Sequence, residues 1–180
     1  MTKKRKKLII FDLDDTLIKS DAQIKVFDSV SNELIKSISP SQFNYQLKKQ
    51  EHYFCFGDFD CEKILGKSTL IHSTFRSLKR YYRNGEHISI ITARSDKRII
   101  LDFFETKNIS LNSSLVYTIH SRKSKFTGSI SQRKKQAIEE LIKKGYKDIK
   151  FYEDNLDNIR AAEELNSSDV TIKTIHVNYA

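Results

Sequence analysis

Three carboxylates and a hydroxyl directly follow a short apolar run near the start of the chain. Leu8 to Phe11 is apolar, and the next positions hold Asp12, Asp14, Asp15 and Thr16. A carboxylate can act as a nucleophile, and a second one close by can donate a proton and later accept one. Grouped carboxylates repel each other unless a cation neutralises them, and an all-oxygen ligand set suits Mg²⁺. The segment therefore indicates nucleophilic and acid–base chemistry assisted by a divalent cation.

Two later apolar runs also end in polar side chains. Ile88 to Ile91 leads into Thr92-Ala93-Arg94, and Ile149 to Tyr152 leads into Glu153-Asp154. The carboxyl ends of parallel strands lie at one edge of a sheet, so we expect these side chains to converge there. Turn and capping chemistry accounts for any one of them, but it does not require acids from separate strands to meet. The arrangement suits phosphoryl transfer in two steps, in which Asp12 attacks phosphorus to form an aspartyl phosphate.

The elements that must position these residues alternate between apolar strands and amphipathic helices. Such alternation gives right-handed crossovers and a mostly parallel sheet with helices on both faces. Gly85 and Gly145 follow two of the helices, where glycine commonly ends a helix. The sequence therefore predicts an α/β fold with a single domain over 1–180. The predicted order is strand Leu8–Phe11, helix Leu70–Tyr82, strand Ile88–Ile91, helix Ile99–Phe104, strand Leu115–Ile119, helix Ala137–Ile142, strand Ile149–Tyr152, helix Leu156–Leu165 and strand Val170–Val177.

The segment from 20 to 66 breaks this alternation. Apolar residues flank the polar turn 28–32 on both sides, which is typical of a β-hairpin. The tract 53–59 is rich in aromatic residues and shows no helical period. We therefore predict a small β-rich cap inserted after strand one.

Composition bounds the partners of the chain. Its 180 residues fit one domain, and its formal net charge of +9 favours polyanionic or phosphorylated partners. Cys55 and Cys61 are too few for a disulfide framework or a four-ligand zinc site, and the five histidines lack metal-ligand spacing. Without an apolar window of about 18 residues or a signal peptide before the first strand, we expect a cytoplasmic protein with no membrane partner and no obligate protein partner. The basic run Lys3–Lys7 either contacts a phosphate backbone or is a solvated arm.

The strand that ends in Asp12-Leu13-Asp14-Asp15-Thr16 resembles motif I of the haloacid dehalogenase superfamily. The polar residues after the later strands match its other motifs in order, and the resemblance covers 8–18 and about 68–178. It implies a Rossmann-like fold and phosphatase activity through an aspartyl phosphate. Insertions after motif I act as caps in this superfamily.

The resemblance also implies roles for individual residues. Asp12 would be the nucleophile, and Asp14 would be the general acid and base. Thr92 would hold a phosphoryl oxygen, and Thr16 matches a threonine common in the phosphatase branch, which we assign to substrate binding. The implied cofactor is Mg²⁺, held by Asp12, the backbone carbonyl of Asp14, and Asp154.

The resemblance also implies two residues that contact the magnesium ligands rather than the ion itself. Glu153 is the neighbour of Asp154, and Asn158 occupies a position that is often Asp in relatives. Asp157 is a candidate substitute for that missing acid.

The superfamily also uses a lysine that steadies the charge of the nucleophile and the phosphate. Arg133, Lys134 and Lys135 compete for this role. At about 100° per residue, Lys134 falls about 10° from the centre of the apolar stripe of its helix, whereas Lys135 falls about 90° away. We therefore predict Lys134 and keep Lys135 as the alternative.

The substrate prediction depends on the cap and on charge. By resemblance, a small cap leaves the site open to a bulky phosphorylated substrate. Arg94 either binds the substrate phosphate or pairs with an acid in the loop. Arg122, Lys123 and Lys125 supply a basic rim. The aromatic residues of the cap either stack on bases or pack the cap itself; they are Phe43, Tyr45, Tyr53, Phe54, Phe56 and Phe59.

The compact basic core, with its Thr-Ala-Arg and Tyr-Glu-Asp endings, also resembles the phosphatase part of phage polynucleotide kinase-phosphatases, although the sequence has no kinase P-loop. The leading hypothesis is a Mg²⁺-dependent phosphomonoester hydrolase whose preferred substrate is a nucleotide or a nucleic-acid end phosphate. A phosphatase of small metabolites is the alternative within the enzyme class. A non-catalytic basic module that binds nucleic acid on the same fold is the alternative of another class.

Overall fold

The computed structural model describes residues 5–40, 42, 51–120 and 124–178. The chain divides into two compact units, which we call the core unit (1–19 and 69–180) and the insertion unit (20–68). The helices of the described residues are α1 (Glu62–Lys67), α2 (His72–Arg83), α3 (Lys97–Glu105), α4 (Ile130–Lys143) and α5 (Leu156–Glu163). The strands are β1 (Lys6–Phe11), β2 (Ile18–Lys19), β3 (Ile24–Asp28), β4 (Leu34–Ile38), β5 (His52–Cys55), β6 (Thr69–Leu70), β7 (Ile88–Thr92), β8 (Val116–Thr118), β9 (Tyr146–Glu153) and β10 (Thr171–His176).

The central sheet of the core unit has five strands in the order β10-β9-β1-β7-β8. All four pairings in it are parallel. The chain steps outward from β1 to β7 and β8, and it then places β9 and β10 on the other side of β1. Open α/β sheets bind ligands at the carboxyl ends of the strands, beside such a reversal. The predicted α/β fold with a mostly parallel, Rossmann-like sheet is confirmed, and its reversal lies between β1 and β9.

Helices cover both faces of this sheet. Ile10 of β1 belongs to a buried cluster with Ile138 and Leu141 of α4. The ring of Phe11, which is the next residue of β1, lies 6.5 Å from the ring of Tyr81 on α2. Successive side chains of a strand point to opposite faces, so β1 is buried from both sides. Each fully buried apolar side chain contributes about 1.5–3 kcal/mol, which makes β1 a firm base for the residues that follow it.

The basic N-terminal run overlaps the first strand, so its last two lysines do not belong to an arm before that strand. Lys6 and Lys7 belong to β1. Lys7 Nζ donates to Glu86 Oε1 at 2.6 Å, and Lys6 Nζ lies 4.1 Å from the centre of the Tyr146 ring. These two lysines are therefore held by the fold, whereas 1–4 lie outside the described residues.

The helix that was predicted to begin at Leu70 begins at His72. Leu70 instead belongs to β6, which pairs antiparallel with β2. Of the two neighbouring tyrosines at the end of α2, Tyr81 is buried rather than the predicted Tyr82. Tyr81 continues the three-residue spacing of the buried side chains Phe75 and Leu78. The β2–β6 ribbon joins the two points at which the core unit meets the insertion.

Two strand boundaries of the core unit also differ from the predictions. Leu115 lies in a 3-10 helix before β8, so that strand is shorter than predicted. β9 begins at Tyr146 rather than at Ile149. Alternating burial along β9 hid its first residues from a search for continuous apolar runs.

The insertion unit contains a three-stranded antiparallel sheet in the order β4-β3-β5. The predicted hairpin is confirmed, since β3 and β4 flank a turn in which Asp28 Oδ1 accepts from the backbone N–H groups of Val30 and Ser31 at 2.9 and 2.8 Å. The unit also contains α1 and a 3-10 helix at Gly57–Asp60, so it is not purely β. Its buried apolar cluster is small and consists of Ile24, Val26 and Ile38.

The aromatic residues of the insertion unit fall into different environments. Phe54 and Phe59 pack against the buried cluster. The Tyr53 ring stacks on Phe27 with 5.2 Å between centroids and is 42% exposed, and Phe56 is 37% exposed. Phe43 and Tyr45 lie outside the described residues.

Two further expectations concerned the cysteines and membrane spans. Cys55 and Cys61 are both free thiols. Within the described residues, the helices are too short or too polar to cross a membrane.

Candidate active site

Asp12 lies at the carboxyl end of β1 and meets Lys134 from α4. Its backbone N–H donates to the Tyr152 carbonyl at 3.0 Å, which continues the β1–β9 ladder by one residue. Lys134 Nζ donates to Asp12 Oδ1 at 2.7 Å and to Glu153 Oε2 at 2.7 Å, and all three side chains are buried. One ammonium group therefore joins the ends of two neighbouring strands.

The start of α4 determines where Lys134 points. Ser129 Oγ accepts from the Gln132 backbone N–H at 3.3 Å, and Gln132 Oε1 accepts from the Ser129 backbone N–H at 2.8 Å. This reciprocal cap fixes the first turn of the helix. Lys134 then lies on the same buried face as Ala137 and Leu141. The face that packs on the sheet thus carries a cation to the sheet edge.

Burial and charge act against each other at Asp12. Burial raises the pKa of Asp12 well above its ordinary value, and the Lys134 ammonium opposes this rise. The nearby carboxylates of Glu153 and Asp154 add to the rise. Asp12 therefore needs its cationic neighbours in order to be ionised.

Lys134 and Glu153 remain an ion pair in the same environment. Burial opposes the charge on Lys134, but the carboxylates of Asp12 and Glu153 outweigh burial and raise the pKa of the lysine. Burial also opposes the charge on Glu153, but Lys134 outweighs it and lowers the pKa of the glutamate. Glu153 therefore keeps its negative charge beside Lys134, whereas the raised pKa values of Asp12 and Asp154 disfavour the ionised forms of those two acids.

Three carboxylates meet at the ends of β1 and β9. One oxygen each from Asp12, Glu153 and Asp154 lies within 4.8 Å of the other two. Burial and the Glu153 carboxylate raise the pKa of Asp154 to about 7. Both oxygens of Glu153 already have partners, since Oε2 accepts from Lys134 and Oε1 accepts from the Asn155 backbone N–H at 3.1 Å. The cluster therefore favours a further cation, which Asp12 and Asp154 are placed to bind.

Thr16 contacts Asp154, the residue that directly follows β9. Its hydroxyl donates to Asp154 Oδ1 at 3.4 Å, and its side chain is fully buried. The contact orients Asp154 and was not expected from the sequence. The assignment of Thr16 to substrate binding stays a prediction.

Asp14 pairs with Arg94 through two hydrogen bonds. Arg94 Nε donates to Asp14 Oδ2 at 2.8 Å, and Nη2 donates to Oδ1 at 2.6 Å. The arginine side chain is only 1% exposed. A bidentate pair fixes the orientation of both groups. Of the two partners considered for Arg94, a substrate phosphate or an acid in the loop, the structure shows the acid.

The turn after β1 separates Asp14 from Asp12. The Leu13 carbonyl accepts from the Leu17 N–H at 2.9 Å, and Asp15 has a φ of 57°. Asp is among the residues that tolerate this left-handed conformation. The chain therefore leaves the strand direction directly after Asp14, whereas Asp12 remains bonded to β9.

Thr92 ends β7, the other neighbour of β1. Its hydroxyl oxygen accepts from the Arg94 backbone N–H at 3.2 Å, which forms a local turn before the arginine side chain reaches Asp14. Phe11 pairs with Ile90, so Thr92 and Asp12 end adjacent strands, which lie about 4.8 Å apart in a sheet. The sheet edge thus brings together residues from three strands and one helix.

The other two basic candidates of α4 have different partners. Lys135 Nζ donates to Glu164 Oε2 at 2.7 Å, and Arg133 Nη1 donates to the Ile119 carbonyl at 3.3 Å. Of the three, Lys134 is the residue that contacts Asp12.

Asn158 and Asp157 lie in opposite environments near the start of α5. Asn158 is buried, with 6% exposure, whereas the Asp157 side chain is 78% exposed and lies 3.5 Å from Arg160. Asn155 Oδ1 caps the helix by accepting from both of their backbone N–H groups. The acid considered as a substitute for Asn158 therefore lies at the surface.

Sequence reasoning gave no role to His176, yet its Nε2 lies 2.9 Å from the Asp154 carbonyl oxygen. The contact follows from register, because β10 pairs His176 with Glu153. Ligand spacing could not reveal it, and a correct pairing of the last two strands would have done so.

The basic rim predicted from the sequence is only partly described. Lys125 forms an ion pair with Glu140. Arg122 and Lys123 lie outside the described residues.

Comparison with known proteins adds nothing to this geometry, because no family model and no curated protein matches the chain.

Proposed function

We propose that this chain is a Mg²⁺-dependent phosphomonoester hydrolase that works through an aspartyl phosphate on Asp12. One observation carries the proposal: Lys134, Glu153 and Asp154 surround the Asp12 carboxylate at the edge of the sheet where the strand order reverses. Burying charge costs several kcal/mol per ion unless it is paired, so a fold seldom collects four ionisable groups without a use for them.

In the first step Asp12 attacks phosphorus, and the bond from phosphorus to the ester oxygen breaks. Asp14 gives a proton to the departing oxygen, which leaves as an alcohol. In the second step water attacks the aspartyl phosphate, Asp14 takes a proton from that water, and the bond from phosphorus to Asp12 breaks. The products are inorganic phosphate and the original carboxylate of Asp12.

Lys134 and Thr92 would assist both steps. The Lys134 ammonium favours the ionised form of Asp12, which is the form that attacks. It also offers positive charge near the phosphoryl group as negative charge develops there. The Thr92 hydroxyl, on the adjacent strand, would hold a phosphoryl oxygen.

Arg94 controls the orientation of Asp14. Each oxygen of Asp14 accepts one hydrogen bond from Arg94 and keeps a further lone pair for a proton. A substrate phosphate offers Arg94 an alternative bidentate partner. Substrate binding would thereby allow the Asp14 carboxyl group to turn toward the ester oxygen.

The donor set fits Mg²⁺. Its available donors are carboxylate oxygens, and burial together with the Glu153 carboxylate raises the pKa of Asp154 to about 7, an effect that a bound cation would oppose. Asp12, Asp154 and the backbone carbonyl of Asp14 would hold the ion. When bound, Mg²⁺ would neutralise the acids and withdraw charge from the phosphoryl oxygens.

The test is a phosphatase screen with a nucleophile variant. The panel contains sugar phosphates, mononucleotides and oligonucleotides phosphorylated at the 3′ or 5′ end, each with Mg²⁺ and with EDTA. We expect Mg²⁺-dependent phosphate release that falls by about 10⁴-fold or more in Asp12→Asn, since covalent catalysis is lost. Asp157→Asn removes an exposed acid and should retain full activity. Full turnover by Asp12→Asn, or equal turnover in EDTA, would refute the proposal.

A further inference from the structure

A groove of about 700 Å³ lies in the core unit beside β8, the edge strand of the central sheet. Its walls come from residues 95–98 at the start of α3, from β8, and from residues 124–126 before α4. Pockets for small organic ligands typically have volumes of about 300–1,000 Å³. The groove is therefore large enough for a nucleoside unit.

The groove lies on the β8 side of the proposed site. β7 and β8 pair Thr92 with Thr118, and Thr118 lines the groove. Adjacent strands lie about 4.8 Å apart, so the groove begins about one strand spacing from the residue that would hold a phosphoryl oxygen. Ser95, another lining residue, directly follows Arg94 in the chain. A group attached to that phosphate can enter the groove without crossing another element of the sheet.

Two aromatic rings form part of the groove wall. Tyr117 and Phe126 are half-buried, and their ring centroids lie 6.0 Å apart. Lys144 Nζ donates to Tyr117 Oη at 2.8 Å and lies 5.2 Å from the centre of the Tyr117 ring, which fixes that ring. A fixed and partly exposed aromatic ring is a stacking surface for a nucleic-acid base.

The groove also carries more positive than negative side chains. Lys97, Arg98 and Lys125 line it, against Asp96 and Glu140. Glu140 pairs with Lys125, and Asp96 Oδ1 caps α3 by accepting from the Arg98 backbone N–H at 2.8 Å. The Arg98 side chain is exposed. Cations beside an aromatic pair suit a ligand that alternates bases with phosphates.

We propose that this groove binds the terminal nucleoside of a single nucleic-acid strand, with its base on Tyr117 and Phe126 and the next backbone phosphate at Arg98. The inference rests on the proposed function, because the end phosphate of that strand is the group that Asp12 attacks. It names the substrate class of the site, and it places recognition in the core unit rather than in the insertion unit.

The test measures binding separately from turnover. The Asp12→Asn protein is titrated in Mg²⁺ against labelled single-stranded DNA of about ten nucleotides with a 3′- or a 5′-phosphate, and fluorescence anisotropy reports the Kd. Tyr117→Leu and Phe126→Leu keep apolar packing but remove the aromatic faces, and thermal melting checks that each variant folds. We expect Tyr117→Leu to weaken binding about 5- to 50-fold, with a smaller loss for Phe126→Leu.

Arg98→Gln provides an independent second variant, and Lys173→Gln is its matched control. Lys173 is an exposed cation on β10, at the opposite edge of the sheet. Arg98→Gln should weaken binding and reduce the slope of log Kd against log salt by about 1, whereas Lys173→Gln should change neither. Wild-type affinity in folded Tyr117→Leu, or equal losses for Arg98→Gln and Lys173→Gln, would overturn the proposal. So would a mononucleotide that competes as well as the strand.

Failure of the groove assignment can be told apart from failure of the proposed hydrolase activity. If the wild-type chain releases phosphate from sugar phosphates and Tyr117→Leu binds the strand normally, the hydrolase stands and the groove assignment falls. If the variants weaken strand binding but no ester is hydrolysed, the groove assignment stands and the hydrolase falls.

Discussion

The core unit buries polar side chains, whereas the insertion unit exposes apolar ones. Among the described residues, the buried polar or charged side chains all belong to the core unit: Asp12, Thr16, Thr74, Ser89, Thr92, Arg94, Lys134, Glu153 and Asn158. Most of the large apolar side chains that are exposed belong to the insertion unit: Val30, Leu34, Ile35, Tyr53 and Phe56.

The two distributions have different physical causes. A buried charge is costly unless it is paired, so the cluster around Lys134 is a feature that stability alone would not produce. Exposed apolar side chains in the insertion unit follow from its size, because a three-stranded sheet with one small cluster cannot cover them all. The buried polar side chains of the core unit therefore support the proposed active site, whereas the exposed apolar side chains of the insertion unit need no functional explanation.

Removing the ammonium of Lys134 should produce the largest loss of stability. Lys134→Met keeps the volume but leaves Asp12 and Glu153 buried without their cation, and we expect a loss of about 3–5 kcal/mol in the free energy of unfolding near pH 8. Chemical denaturation of the metal-free proteins measures it. Lys135→Met removes a neighbouring lysine whose ammonium pairs with Glu164 outside the cluster, and it should leave the free energy of unfolding unchanged.

The loss should depend on pH in a defined direction. The pKa of Glu153 is lowered in the folded protein, so the stability gained from its pairing is present above the ordinary carboxyl range and is lost as pH falls below about 4.5. In Lys134→Met, burial raises the carboxyl pKa values instead, so that variant loses stability as pH rises. The gap between the two proteins should therefore narrow toward acid pH. A gap that is constant with pH would show that packing, not charge, gives Lys134 its role.

The sequence predicted the secondary structure of the core unit better than that of the insertion unit, because the helices and strands of the core unit have clear apolar patterns. Periodicity identified the buried face of α4, and with it the inward position of Lys134, because a long helix with a clear apolar stripe has only one way to pack. The alternation of strands and helices likewise predicted the sheet. The hairpin of the insertion unit was predicted from its polar turn. The two short helices of the unit, α1 and the 3-10 helix at Gly57–Asp60, were missed because short helices lack a full apolar period.

The contacts that were not predicted from the sequence depend on strand register and on which of several polar groups a side chain pairs with. Thr16 meets Asp154, and His176 meets the Asp154 carbonyl, only because three strands align at particular offsets. The sequence left two partners open for Arg94, and the folded chain shows its pairing with Asp14. Local pattern fixes which residues reach the sheet edge, and long-range alignment decides which of them touch.

Arg94 provides the next comparison, between a buried and an exposed arginine–aspartate pair. Arg94→Lys keeps the charge but loses the bidentate contact with Asp14, and we expect kcat/KM to fall about 10- to 100-fold, which is part of the range for a general acid. Arg160→Lys alters the exposed pair with Asp157 and should leave kcat/KM unchanged. The separate values of kcat and KM are the decisive readout, because a loss of Asp14 positioning lowers kcat. An unchanged kcat with a raised KM would assign Arg94 to substrate binding instead.

The smallest effect is expected at Tyr53, which tests the exposed apolar surface of the insertion unit. Tyr53→Leu removes the ring stacked on Phe27 and the hydroxyl that donates to Asn32 Oδ1 at 3.3 Å, and it should cost about 1 kcal/mol in the free energy of unfolding. Because base recognition is assigned to the groove beside β8, the Kd for single-stranded DNA should stay within about twofold of wild type. The same anisotropy titration measures it, and Tyr117→Leu is the matched aromatic variant. If Tyr53→Leu weakened the binding of single-stranded DNA as much as Tyr117→Leu, the insertion unit would also contribute to recognition. Its exposed apolar side chains would then have a functional role.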